Sequence, residues 1–149
     1  MSENQYKKEV YCTLQFEAVH NWPGCPIEEV AYLRDPHRHT FHIKAHANVS
    51  HNDRDVEFIE LKHKIVNYLR EKYPSDVGCP DIGATSCEML AQELIEEFDL
   101  SRCEVNEDNE NGAVLTVLED QSVAALTPPS KTKKSWLGKL NPLKKSSNA

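Results

Sequence analysis

The chain has no apolar run near the ~18 residues that mark a membrane-spanning helix, so that class is excluded on length. Its opening residues, MSENQYKKEVYC, lack the apolar stretch of a secretory leader. No CxxC pair occurs among the five cysteines, and an odd number makes a poor disulfide framework. A reduced compartment, and so a cytoplasmic protein, is expected. Acidic residues are missing altogether from residues 126–149, where six lysines stand. The formal net charge of −7 therefore divides into +6 for that tail and −13 for the rest. An acidic body lacks the basic face that nucleic acid requires, so no nucleic-acid partner is expected.

What the sequence does hold is histidine. The stretch LRDPHRHTFHIKAHANVS, residues 33–50, places His37, His39, His42 and His46 inside a run that reads as a β-strand over His37–Val49. Before it, Val10, Cys12, Leu14, Phe16, Ala18 and His20 alternate as one face of a first strand. The intervening NWPGCPIEEVAYLRDP, with three prolines and a glycine, is a long excursion rather than a tight turn. After the turn SHNDRD, the period changes to helical at Phe58, Leu61, Ile65, Tyr68 and Leu69, and Pro74 ends that helix. Thr85 with Glu88 resembles a capping box opening a second helix, CEMLAQELIEEF, with Met89, Leu90, Leu94 and Ile95 expected toward the core. Two short strands, Arg102–Glu107 and Ala113–Leu118, flank EDNENG, whose Asn111-Gly112 is expected to make the turn. The order is ββααββ, an α+β domain over residues 1–126. Residues 127–149, rich in proline, lysine and serine, read as a disordered basic tail. Its Trp136, Leu137, Leu140 and Leu143 are cut by Pro142, so membrane contact through it is not expected.

The strand period of 2 sorts the histidines. His37 and His39 share the face of the apolar residues, whereas His42 and His46 point to the other, wet face. If the first two strands pair antiparallel across the excursion, His20 lies beside both. Three neutral imidazoles from adjacent strands suit Zn²⁺ with a fourth position left open. His51, in a turn, and His63, on a helix, read as solvated.

Read in order, LQFEAVH, HRH with its alternating strand, VEFIELK, TSCEMLAQEL and VNEDNENGAV resemble the 6-pyruvoyltetrahydropterin synthase and 6-carboxytetrahydropterin synthase family over roughly residues 10–118. The resemblance implies a tunnelling fold: a four-stranded antiparallel sheet with two helices on one face. It also implies assembly of copies into trimers or hexamers, and lyase chemistry on a pterin or related heterocycle. His20, His37 and His39 match the family's zinc ligands, and Glu107 matches the glutamate that anchors the pterin ring. A carboxylate suits that task because it accepts two N–H bonds from one heterocycle edge. Thr85 or Ser86 falls at the family's pterin-contacting threonine.

The departures concern chemistry. The family's catalytic cysteine lies four residues before the HxH, where this chain has Leu33. Its Asp-His pair belongs between the helices, where SDVGCPDIG carries Asp76 and Asp81 but no histidine. The central glycine of the family's HGH is Arg38. Cys25 reaches the site only if its loop folds back; Asp35, Cys79 and Asp81 are the other candidates for moving a proton. Two functions follow as expectations: a zinc-dependent synthase-like enzyme, or a metal-bound pterin or purine-nucleotide binding module without turnover.

Overall fold

The computed structural model describes residues 2, 5–75 and 78–119; the tail expected over 127–149 and Asp76 lie outside these. Strands β1 (Glu9–His20) and β2 (His37–Asn48) are followed by helices α1 (Phe58–Lys72) and α2 (Cys87–Phe98), then by β3 (Arg102–Glu107) and β4 (Asn111–Thr116). The four strands form one antiparallel sheet in the order β1-β2-β3-β4, an α+β ββααββ fold. Among the described residues no helix is long and apolar enough to cross a membrane.

One face of the sheet is apolar because alternate residues of each strand are. Leu14, Phe41, Ile43, Cys103 and Val105 from the sheet meet Leu61, Ile65 and Leu69 of α1 and Leu90, Leu94 and Phe98 of α2 in a single buried core. Each fully buried side chain of this size contributes about 1.5–3 kcal/mol by leaving water. Both helices start on a side-chain cap. Glu57 accepts from the Glu60 amide at 2.8 Å, and Ser86 accepts from the Met89 amide at 3.1 Å. The cap of α2 is therefore Ser86 rather than Thr85, whose hydroxyl donates backward to the Ile82 carbonyl at 2.6 Å. The buried face of α2 also differs from the expected one. Met89 is 59% exposed instead of buried, and Cys87 and Ala91 enter the core.

The β3–β4 turn also differs from expectation. Asp108 and Asn109 both take positive φ, and the Glu110 amide donates to the Glu107 carbonyl at 2.9 Å. Short polar side chains tolerate that backbone region, so Asp-Asn makes the turn. Asn111-Gly112 lies inside β4, paired with Glu107 and Asn106. Glycine is required at 112 for another reason: a Cβ there would run into the Val105 carbonyl and the Asn106 Cα across the ladder.

The outer face is less wet than its residues suggest. His42 is half-buried, but His46 is only 7% exposed. Its register neighbours explain this, since Tyr11 and Arg102 flank it on the two adjacent strands. The Tyr11 ring stands 5.6 Å from the imidazole, and the Glu104 carboxylate lies 3.3 Å from its Nε2.

Candidate metal centre and cavity

The register between β1 and β2 builds the site. His20 pairs with His37, and Ala18 pairs with His39, so the three imidazoles converge at the end of the two strands. The long excursion permits this because its ends are tied together. The Trp22 amide donates to the Leu33 carbonyl at 2.6 Å, and the Asn21 side-chain amide donates to the Arg34 carbonyl at 2.9 Å. A 3₁₀ segment, Glu28–Arg34, kinked at Val30, occupies the middle of the excursion.

Ring centroids of the three histidines lie 4.6–5.3 Å apart. One ring nitrogen from each falls within 4.8 Å of the other two. Each Nδ1 already has an acceptor. His20 Nδ1 lies 2.9 Å from the Thr85 carbonyl, His37 Nδ1 lies 2.8 Å from the Asp35 carbonyl, and His39 Nδ1 lies 2.6 Å from Asp108 Oδ2. An acceptor at Nδ1 holds the proton there and leaves the Nε2 lone pair free, the outer-shell arrangement that orients histidines on a metal. These anchors come from separate parts of the chain. Residues 80–83 run beside the end of β1, bridging Asp81 to Val19, and so deliver the Thr85 carbonyl. The turn residue Asp108 also accepts from the Thr40 amide at 2.9 Å, which fixes its carboxylate.

Glu107, the last residue of β3, brings its carboxylate against the same cluster. Oε1 lies 3.2 Å from His20 Nε2, and Oε2 lies 3.5 Å from His39 Nε2. The buried Nε2 of His20 has no hydrogen-bond partner of ordinary geometry, and Glu107 Oε1 is the carboxylate oxygen beside it. A buried ring nitrogen without a partner and two more imidazoles within 4.8 Å form a donor set that fits a divalent transition ion such as zinc. The contact with Glu107 raises the His20 pKa, against burial and with help from the Thr85 carbonyl. The same contact with His20, aided by the charges of His39 and His37, holds the Glu107 carboxyl below its ordinary range despite desolvation.

A cavity of about 550 Å³ opens beside the cluster, with His20, His37 and Glu107 in its wall. Trp22, Leu33 and Met89 supply apolar surface, and Thr85, Ser86 and Cys87 line it at the start of α2. This volume lies in the range of small-molecule pockets, about 300–1,000 Å³. The hydroxyls of Thr85 and Ser86 are already engaged, one with Ile82 and one as the helix cap.

None of the proton-carrying candidates in the loops reaches this cavity. Cys25 is buried within its own excursion, 2% exposed, with its thiol directed at the Ile27 and Val30 carbonyls. The loop packs on itself rather than folding back, and the Arg34 side chain seals it by donating to the Cys25 carbonyl. Asp35 serves through its backbone carbonyl, and Asp81 accepts from the Gly83 amide. Cys79 is half-buried and outside the cavity wall.

Two site residues had no signal in the sequence that singled them out. Asp108 looked like an ordinary turn residue after Glu107. Cys87 is not among the α2 residues expected toward the core, and its Sγ lies 3.8 Å from Glu107 Oε1. Burial first, then the Glu107 and Glu88 charges, push that thiol up to about 12. It keeps its proton near neutrality and donates, rather than acting as a thiolate nucleophile.

No family model matches the chain, and no curated protein does. Among solved structures it is similar to an uncharacterized protein from Wolinella succinogenes, at 11% identity and a TM-score of 0.52, over 76% of this chain and 99% of that one. That likeness concerns the fold alone.

Proposed function

We propose that this chain is a zinc-binding protein of the 6-pyruvoyl- and 6-carboxytetrahydropterin synthase type that holds a pterin or a related 2-amino-4-oxo heterocycle and turns it over slowly or not at all. One observation carries the reading: three histidines on two paired strands, each anchored through Nδ1, with a cavity of about 550 Å³ beside them that His20 and His37 line. His20, His37 and His39 would hold the metal, which when bound acts as a Lewis acid toward a substrate oxygen. Glu107 accepts the N–H groups of the heterocycle, and Trp22, Leu33 and Met89 offer apolar surface to its rings.

The binding-module version is favoured over the active lyase by what lines the cavity. Leu33 stands in the wall where the family carries its cysteine, and Cys87 is a protonated donor to Glu107. Proton transfer to carbon needs a positioned acid and base, and loss of both removes about 10²–10⁴ in rate for each. The cytoplasm is the proposed setting, supported by five free thiols. Assembly with further copies, as trimer or hexamer, is supported by β4 lying at the edge of the sheet.

The test measures metal content, affinity for 7,8-dihydroneopterin triphosphate and turnover together. The reading expects about one zinc per chain, binding that is lost in Glu107→Ala, and negligible turnover. A folded protein that takes up no zinc sinks the metal half. Brisk turnover overturns the binding-module version.

A further inference from the structure

Resting on the proposed heterocycle site, we infer that its cavity selects a phosphate-free ligand, a 2-amino-4-oxo heterocycle with an uncharged side chain, and that Glu88 is the residue that disfavours phosphate esters. Two carboxylates line the cavity from different elements, Glu107 at the end of β3 and Glu88 in the first turn of α2. Glu107 is half-buried and Glu88 is exposed, so the wall is acidic from its interior to its rim. Both charges act on the thiol between them in the wall: burial first, then Glu107 and Glu88, push Cys87 up to about 12. In the proposed binding mode the N–H groups of the heterocycle answer the charge of Glu107. The charge of Glu88 is left to meet whatever the ligand's side chain carries.

No lysine or arginine lines the cavity among the described residues. The two arginines next in sequence to lining residues are committed elsewhere. Arg34, beside Leu33, donates through Nε to the Cys25 carbonyl at 2.9 Å, and its Nη2 lies 3.6 Å from Glu28. Arg38, beside His37, pairs with Glu17 on the opposite face of the sheet. A phosphate that leaves water needs charged donors of this kind to offset its desolvation. Trp22, Leu33 and Met89 offer instead apolar surface that an uncharged side chain can cover. The field of the whole chain has the same sign, with a formal net charge of −7, and it opposes the entry of an anion.

The test titrates the zinc-loaded full chain by calorimetry, at low ionic strength, with 7,8-dihydroneopterin and with its monophosphate. Both compounds meet the same metal, so their ratio reads the phosphate alone. The parent is expected to bind the monophosphate at least about fivefold more weakly. Glu88→Lys is expected to erase that difference and Glu88→Gln to reduce it. Glu88 is exposed, so neither variant disturbs the core, and circular dichroism checks that the fold is kept. Equal or tighter binding of the monophosphate by the parent overturns the inference and leaves the heterocycle site standing. A preference that neither variant reduces overturns the role of Glu88. No binding of either compound by the folded parent overturns the heterocycle site itself, and this inference with it.

Discussion

Replacing Asp108 with asparagine tests whether the outer-shell acceptors set the metal site. One Asp108 oxygen accepts from His39 Nδ1 at 2.6 Å, and the other accepts from the Thr40 amide at 2.9 Å. Asparagine keeps the shape but has a single acceptor, so its amide group must face one of those two donors. The Thr40 amide cannot change, whereas the imidazole can move its proton from Nδ1 to Nε2. That tautomer places an N–H where a metal needs a lone pair. Loss of such an outer-shell partner lowers metal affinity about 10–100-fold. The Asp108 side chain is 48% exposed, so water substitutes in part and the lower end, about tenfold, is expected. Zinc affinity would be read by competition with a chromophoric chelator, with circular dichroism showing that the fold persists through the retained Thr40 bond. Parent-like affinity in both Asp108→Asn and Asp108→Ala would refute the idea that Nδ1 anchoring prepares His39 for a metal.

Three further outcomes are expected. His39→Ala should abolish zinc binding while His42→Ala, on the opposite face of the same strand, retains it; equal losses would show that convergence on one face is not the cause. Gly112→Ala should destabilise by about 1–3 kcal/mol, because the added methyl meets β3 backbone that cannot move aside, and a thermal melt unchanged from the parent would disprove the close approach. The pH dependence of the metal-free protein follows from two opposed shifts. His20, raised above 6.5 mainly by Glu107, stabilises fully below pH 6.5 and loses that contribution as pH climbs through its folded value. Glu107, lowered below 4.5 mainly by His20, stabilises above pH 4.5 and loses its contribution as pH falls through its own folded value. Metal-free protein should therefore melt highest between these limits, and saturating zinc should reverse the decline above 6.5 because it needs neutral imidazoles. A zinc-loaded protein whose melting point falls with pH there would contradict the site.

Strand and helix periods made most of this fold legible before any coordinates. Alternation put His20, His37 and His39 on one face and His42 on the other, since a strand allows its side chains only two directions. One antiparallel pairing then forced three histidines together, and the observed register of His20 with His37 is that pairing. The apolar spacing of α1 likewise placed Leu61, Ile65 and Leu69 in the core.

Local patterns were less informative where two adjacent residues offered the same chemistry. Thr85 and Ser86 can each cap a helix, and the structure has Ser86 accept from the Met89 amide while the Thr85 hydroxyl turns back to the Ile82 carbonyl. Asp-Asn and Asn-Gly can each make a turn, and the pairing of Glu107 with Asn111 chose the first. Contacts between distant segments were beyond the sequence altogether. The Thr85 carbonyl on His20, Asp108 on His39 and Cys87 on Glu107 join residues 65, 69 and 20 positions apart. No local period encodes such separations. The sequence by itself determined which strand residues share the face of His20, His37 and His39; the tertiary structure decided which face of α2 is buried, and which atoms of the inward side chains are already occupied, and so which nitrogens and oxygens remain to bind.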